Sequence, residues 1–350
     1  MTTTGSHTWQ EILSQPQVWQ ATLEAFGADR VALRGFLAGD DFDQMLVVGC
    51  GSTYYLAQTA AAILNSCTHV SARALPASEL WLFSGMIPTG RTLLLAISRS
   101  GSTTETLRAV ERFRQIGDGP VLAVTCYPSS PLARQADFAL VAPAAQEQSI
   151  AQTRSFSSML LLVQALAATL AGDEGMLERL HRLPGALEKL VDRLGDLPQR
   201  LGADLEVERF FFLGSGPFYG LACEAMLKLK EMSLSYAEPY HFLEFRHGPM
   251  SMVDARTLVV GLLSDTGLTE EIRVLEDMKA LGGRILALAE DASTLSGWQA
   301  DHLVELGSGL DEWLRGPLYL PTLQRLAYYR AVAKGLDPDR PTNLTAVVEL

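Results

Sequence analysis

Leu93-Leu94-Leu95-Ala96-Ile97-Ser98-Arg99-Ser100-Gly101-Ser102-Thr103 runs from unbroken apolar sequence into a cluster of hydroxyls around one glycine, and a helical pattern follows to Ile116. A short continuous apolar run bounded by turn residues reads as a strand buried on both faces, the kind found in parallel sheets covered by helices. The alternation extends in both directions. Strands are predicted at Met45–Val48, Val70–Ala74, Val121–Thr125 and near Phe138–Val141, with helices at Tyr54–Asn65 and Thr103–Ile116 and a short turn at Pro131–Ala136. Thr153–Ala171 reads as a long helix closing a domain, and Leu177–Leu201 as a helical connector rich in Leu, Arg and Glu. A second cycle opens with a strand at Arg209–Leu213 and a helix at Tyr219–Met232, then adds strands at Thr257–Leu263 and Arg284–Ala289. The fold class expected is therefore α/β, with two tandem doubly wound domains on parallel sheets. The boundaries drawn are an N-terminal helical arm (1–40), a first domain with the hydroxyl loop (41–172), a helical connector (173–205), a second domain (206–336) and a C-terminal tail (337–350).

An internal echo supports the duplication. Val48-Gly49-Cys50-Gly51-Ser52 and Leu213-Gly214-Ser215-Gly216-Pro217 both set a Gly-x-Gly turn between an apolar strand and a helix. At nearly the same offset, Ser98-Arg99-Ser100-Gly101 is matched by Ser264-Asp265-Thr266-Gly267, again directly after an apolar strand. Two coincident echoes at one offset point to two copies of one unit.

The 350 residues carry 28 Lys+Arg against 40 Asp+Glu, a formal charge of −12. That excludes a nucleic-acid binder as the default, because phosphate backbones are held by clustered cations. Hydrophobic residues at 48% and charged residues at 19% fit a globular chain with large cores. Cys50, Cys67, Cys126 and Cys223 form no CxxC pair, so neither a disulfide framework nor a zinc site is indicated. The start Met1-Thr2-Thr3-Thr4-Gly5-Ser6-His7 lacks the basic and apolar regions of a signal peptide. The longest apolar candidate, Met159–Leu170, is interrupted by Gln164 and is short of a bilayer span. A cytoplasmic protein without nucleic-acid or membrane partners is expected.

Ser98 to Thr103 follows a buried strand and precedes a helix, so its hydroxyls and the free N–H groups of the first helical turn converge at the C-terminal edge of the sheet. Hydroxyl donors, a glycine, a positive helix end and the nearby Arg99 guanidinium suit a phosphate monoester. An ordinary N-cap would use the same Ser and Thr residues. The second copy separates the two cases, because Asp265 stands where the first copy has Arg99 and would repel phosphate; only the first domain is expected to hold one. Gly49-Cys50-Gly51-Ser52-Thr53-Tyr54 has Tyr54 at the third glycine position of a dinucleotide fingerprint, so ligand contact by Ser52 and Thr53 is favoured over nicotinamide binding.

Glu224, Lys228 and Glu231 are spaced four and three apart and share one helix face. A solvated ion-pair face is the ordinary explanation. Against it stands an apolar helix opening at a Gly-x-Gly turn, where ligands of open α/β sheets lie; a carboxylate held there could move a proton between adjacent sugar carbons. His241 and His247 lie in a loop ended by Gly248-Pro249, and histidine is the side chain best suited to proton transfer at neutral pH.

The ordered set of Ser98–Thr103, Glu224–Glu231 and Glu244-Phe245-Arg246-His247-Gly248-Pro249, within a pair of α/β domains, resembles the double sugar-isomerase (SIS) family. That family includes the isomerase half of glucosamine-6-phosphate synthase and stand-alone amino-sugar-phosphate deaminases and isomerases. The resemblance extends from Glu11-Ile12-Leu13-Ser14-Gln15-Pro16 to the tail Asp337–Leu344. It implies Ser98, Arg99, Ser100 and Thr103 as phosphate contacts, with Ser52 and Thr53 nearby; Arg99 stands where the family usually has Gln. It also implies Glu231 as the base shuttling a proton between C1 and C2, Lys228 beside the reacting oxygens, and His247 assisting ring opening. The segment Glu147–Thr153, with Ile150 at its middle, matches a sugar-contacting loop. In the synthase the matching histidine comes from the neighbouring subunit, which implies a homodimer. No cofactor and no metal are implied.

Two departures shape the functional expectation. The chain is expected to work without the synthase's glutaminase domain, and Ala346 stands where the synthase has a tail lysine able to form an imine with the ketose. A substrate already carrying an amine would not need that lysine. The leading expectation is a phosphosugar isomerase and deaminase acting on an amino-sugar phosphate such as glucosamine 6-phosphate. Simple aldose–ketose isomerisation, deglycation of a sugar phosphate, and a non-catalytic sugar-phosphate sensor remain open alternatives.

Overall fold

The computed structural model describes residues 4–39, 42–83, 85, 87, 90–117, 119–295 and 297–345. The chain forms two compact units, one built mainly from Ser14–Glu147 and Gln152–Pro184, the other from Met1–Leu13, Gln148–Ala151 and Gly185–Leu344. Helix α1 (Ser6–Leu13), first in sequence, thus belongs to the second unit.

The first unit runs α2 (Gln15–Gly39), β1 (Gln44–Gly49), α3 (Ser52–Cys67), β2 (Ser71–Pro76), α4 (Ala77–Leu82), β3 (Thr92–Ile97), α5 (Thr104–Ile116), β4 (Val121–Thr125), α6 (Pro131–Gln135), β5 (Phe138–Val141), α7 (Arg154–Ala171) and α8 (Glu174–Leu180). Its strands pair in the order β2-β1-β3-β4-β5, all parallel. Every residue of β3 and β4 is buried, which is what an apolar run covered on both faces requires. One face carries α4, α5 and α6, whose Leu80, Val110, Phe113 and Leu132 pack on Leu46, Leu94 and Val121. The other carries α2, α3 and α7. Helix α7 is long and apolar enough to cross a bilayer by length and composition, but it is a core helix, buried along most of its length. Its Ser157 hydroxyl accepts from the Trp19 indole N–H at 2.8 Å and donates to Gln15 Oε1 at 2.7 Å, locking α2 onto it.

The second unit continues with α9 (Leu183–Leu194), α10 (Leu197–Ala203), β6 (Arg209–Gly214), α11 (Phe218–Ser233), β7 (Tyr236–Tyr240), α12 (Phe242–Phe245), β8 (Thr257–Leu262), α13 (Leu268–Ala280), β9 (Arg284–Ala289), β10 (His302–Glu305), α14 (Glu312–Arg315) and α15 (Tyr319–Ala333). Its strand order, β7-β6-β8-β9-β10, repeats that of the first unit position for position. The tandem doubly wound α/β fold expected from sequence is what the chain adopts.

The repeat reaches into the turns. A Cβ on Gly49 would lie 2.4 Å from the Thr53 carbonyl oxygen, and one on Gly214 2.4 Å from that of Phe218, while Gly51 and Gly216 share a φ of +54°. Both Gly-x-Gly turns are thus needed for close strand-to-helix packing. The predicted single connector is instead three helices. His181 caps the first, Gly195, at φ +51°, follows the second, and Pro198 stands in the first turn of α10. The short edge strands β7 and β10 had no expected counterparts; β7 carries Pro239, which a sheet tolerates at its edge.

Candidate active site

In the order β2-β1-β3-β4-β5 the direction of winding reverses between β1 and β3, and ligands of open α/β sheets lie beyond the strand ends at such a point. The loop after β3 is Ser98–Thr103. It is tied to β4 through the Arg99 carbonyl, which accepts from Thr125 Oγ1 and from the Cys126 N–H, both at 3.0 Å. Gly101 sits at φ +63°, and a Cβ there would fall 2.2 Å from Ser130 Oγ, so only glycine fits. The loop's own hydroxyls bind it together. Ser98 Oγ accepts the Gly101 N–H at 3.1 Å and lies 3.2 Å from Thr103 Oγ1; Ser100 Oγ accepts from Ser102 N and Oγ at 3.2 and 3.0 Å. Thr103 is the N-cap of α5 but makes no side-chain capping bond, its hydroxyl being turned to Ser98. Ser98, Ser100 and Thr103 are thus brought together at a helix N-terminus, the arrangement that favours an anion.

Arg99 is held differently from the simple expectation of a guanidinium reaching for phosphate. It is largely buried, with Nη1 3.3 Å from Glu147 Oε2. The Glu147 side chain is fully buried and also accepts from Thr153 N and Oγ1 (2.7 and 2.8 Å) and from Ser155 N and Oγ (3.1 and 2.5 Å). One carboxylate therefore joins the loop's cation to the N-terminus of α7 and offsets part of its charge. Sequence reading placed Glu147 only in a sugar-contacting segment; its pairing with Arg99, 48 residues away, left no local pattern.

Of the two residues expected beside the loop, Thr53 is committed to its own turn: its hydroxyl donates to the Cys50 carbonyl at 3.0 Å and accepts the Cys50 N–H at 2.9 Å. Ser52 opens α3, at the end of the strand that neighbours β3.

In the second unit, Glu224, Lys228 and Glu231 form one array on α11. Lys228 Nζ lies 2.5 Å from Glu231 Oε2 and 3.3 Å from Glu224 Oε1. The lysine and Glu224 side chains are 1% and 0% exposed, whereas the Glu231 side chain is 20% exposed. Of the two carboxylates, only that of Glu231 is open to solvent. The array does not sit at the Gly-x-Gly turn that drew attention to this helix. Glu231 lies about 20 Å further along α11 than Phe218, at 1.5 Å per residue, and so near the N-terminal edge of the second sheet.

His247 is exposed on the turn after α12, and its backbone N–H donates to the Glu244 carbonyl at 3.0 Å. Leu243 and Met252 nearby are 50% and 46% exposed. His241 lies apart, its ring stacked on Tyr219 at 3.7 Å; burial pushes its pKa below the ordinary histidine value, with Glu244 opposing. The Gln148–Ala151 part of the predicted sugar loop belongs to the second unit. There the buried Glu11 on α1 accepts from Gln148 N at 2.5 Å and Ser149 N at 3.3 Å, and Ile150 N donates to the Asp339 carbonyl at 3.4 Å. Asp339 also caps α1 through Thr8 N and Oγ1, both at 2.7 Å. Ala346 lies outside the described residues.

Two parallel sheets of one topology, a hydroxyl loop at the winding reversal of the first, and a carboxylate–lysine–carboxylate array in the second define a tandem doubly wound α/β protein. The SIS domain model matches residues 41–169 and 205–332, and the chain belongs to that family. It is 33% identical over 97% of its length to a glutamine–fructose-6-phosphate aminotransferase (isomerizing) of Pseudomonas putida, of which it spans 58%. The crystal structure of a glucosamine-6-phosphate deaminase from Thermotoga maritima matches at TM-score 0.81 and 30% identity, covering 99% of this chain and all of that one. That of a tagatose-6-phosphate ketose/aldose isomerase from Escherichia coli matches at TM-score 0.88 and 26% identity, covering 97% and 96%. These relatives are enzymes of the SIS type, and this chain is one of them.

Proposed function

We propose that the protein is a phosphosugar isomerase and deaminase that converts an amino-sugar phosphate such as glucosamine 6-phosphate to the ketose phosphate with release of ammonia. The observation that carries this reading is the accessible Glu231 beside the buried Lys228–Glu224 pair, in a chain matched end to end by a glucosamine-6-phosphate deaminase. The substrate phosphate would rest on Ser98, Ser100 and Thr103 and the first turn of α5, with Arg99 behind them and Ser52 and Ile150 near the sugar. His247 would assist ring opening to the free aldehyde. Glu231 would then take the C2 proton and return it to C1 while one amine proton passes to O1, turning the 2-amino aldehyde into a C2 imine with a hydroxymethyl group at C1. Water adds to the imine and ammonia leaves, giving the ketose. Lys228 would lie beside the oxygens on which charge develops.

The isomerase from Escherichia coli supports a second reading, proton transfer on a sugar phosphate without an amine. Incubation with hexose 6-phosphates and hexosamine 6-phosphates, measuring ammonia and ketose together, separates the two. Ammonia and ketose in equal amounts support the deaminase; ketose from hexose phosphates alone rejects it.

The exposed His247, flanked by Leu243 and Met252, supports a homodimer in which one copy's histidine serves the other. Mixed inactive Glu231→Gln and His247→Ala chains should then regain part of the activity through hybrid dimers. No recovery despite demonstrated subunit exchange would reject the shared site.

A further inference from the structure

The loop after β8, Ser264-Asp265-Thr266-Gly267, is the structural counterpart of the hydroxyl loop after β3. β8 takes the place of β3 in the repeated strand order, and Ser264 Oγ accepts the Gly267 N–H at 2.8 Å as Ser98 Oγ accepts that of Gly101. Successive N–H groups with a hydroxyl in such a turn form a concave anion site. Here the cradle is already full. Glu312 Oε2 accepts from Asp265 N at 2.8 Å and Thr266 N at 3.2 Å, and Oε1 accepts from Thr266 Oγ1 at 2.5 Å. Ser264 N and Oγ donate to the buried Glu271 at 2.7 and 3.0 Å. Asp265, expected from sequence to repel phosphate, instead forms a two-pronged pair with Arg315 at 2.6 and 2.7 Å, and Glu290 lies 3.8 Å from the same guanidinium.

We propose that the second unit retains an anion cradle equivalent to the phosphate loop, and that the Glu312 carboxylate is its built-in ligand. The cradle is closed to outside anions in the native chain and accepts a small carboxylate or phosphate only when Glu312 is removed. The surroundings fit a permanent occupant. Burial raises the Glu271 carboxyl above the ordinary glutamate range, with the Glu312 charge adding to it and hydrogen bonds from Ser264 and Ser215 opposing. Asp265 and Glu290 both face the Arg315 guanidinium, and Glu271 and Glu312 sit on the same loop, so a phosphate dianion would be repelled while Glu312 is in place.

The contact also has a structural consequence. Glu312 and Arg315 belong to α14, Arg315 lies 5.9 Å over the Phe218 ring, and Tyr319 packs on Phe218 at 4.7 Å while donating to the Leu263 carbonyl at 2.7 Å. Occupation of the cradle thereby anchors the first residue of α11, the helix that carries Glu231.

The inference deepens the one-site reading of phosphate binding, but its test needs no sugar phosphate. Thermal unfolding of Glu312→Ala is compared with wild type in sodium acetate, sodium formate and inorganic phosphate, against sodium chloride at equal ionic strength. The variant should melt below wild type in chloride and regain about 2–4 °C when a small carboxylate fills the cradle, while wild type shows no such response. Adding Thr266→Val should weaken the acetate effect about tenfold, since it removes one hydrogen bond to a charged group. A crystal of the variant grown in acetate should hold the ion on Asp265 N and Thr266 N. A folded Glu312→Ala that responds to anions no differently from wild type overturns the proposal. If the variant folds only when acetate is supplied, the proposal stands; failure to fold in either salt refutes it, because an exchangeable built-in ligand must be replaceable from outside.

Discussion

Lys228→Met removes a buried ammonium from between two carboxylates and should be among the most destabilising changes on α11. At the observed 3.3 Å, with an effective dielectric of about 20, the attraction between Lys228 and Glu224 is about 5 kcal/mol. Desolvation of both ions cancels much of this, so the intact pair adds little net stability. Breaking it is another matter. Methionine fills nearly the same volume, but Glu224, 0% exposed, keeps its charge in a sealed site, which costs about 3–5 kcal/mol. Glu224→Gln should cost less, about 1–2 kcal/mol, because Lys228 still has Glu231 at 2.5 Å. The double variant removes both the stranded charge and its cause, so its loss should fall at least about 2 kcal/mol short of the sum of the single losses. Urea unfolding of the four proteins, comparing midpoints at constant slope, measures this coupling. Single losses that add to within about 0.5 kcal/mol would refute the account of a buried, mutually dependent pair.

Gly101→Ala should lower stability by about 2–4 kcal/mol and raise KM for any phosphorylated substrate, because the new Cβ meets Ser130 at 2.2 Å in a left-handed backbone position; unchanged unfolding and KM would reject the tight-loop description. Soaking with a hexose 6-phosphate should place one phosphorus per chain beside Ser98, Ser100 and Thr103, and density at Ser264 and Thr266 would overturn the assignment. Burial holds His241 and His302 below the ordinary histidine pKa of 6.5, so the unfolded chain binds more protons than the folded one just below that value. Stability should therefore rise as pH increases through the window from their lowered pKa values to about 6.5, and His241→Asn with His302→Asn should flatten that rise in a pH series of urea midpoints.

The strands that fill the sheet centres were legible because burial on both faces leaves unbroken apolar runs: Val121–Thr125 and Arg284–Ala289 fall where sequence put them. The edges were not. β7 is only half apolar and includes Pro239, and β10 has four residues, so neither carries a periodic signal that competes with the turns around it. The hydroxyl loop was legible as a turn for the same reason as its strand, because a glycine and hydroxyls mark the end of the buried run. The Glu224–Lys228–Glu231 array was found by helical spacing, yet the argument that ligands gather at a Gly-x-Gly turn does not locate it, since its one exposed carboxylate, Glu231, lies in the last turn of α11. The roles of Glu147, Glu11 and Glu312 escaped notice because each has a donor dozens of residues away or more, a relation that only folding creates.

The account's central claim is that Glu231 carries the proton between C2 and C1. The direct measurement is exchange of the substrate C2 proton with deuterated solvent, followed by NMR in Glu231→Gln beside wild type, with KM measured on the same preparations. A positioned carboxylate contributes about 10²–10⁴-fold, so exchange and turnover should fall together by that range while KM stays close to the wild-type value. Exchange that continues at the wild-type rate in Glu231→Gln would contradict the claim and move the search for the base to His247.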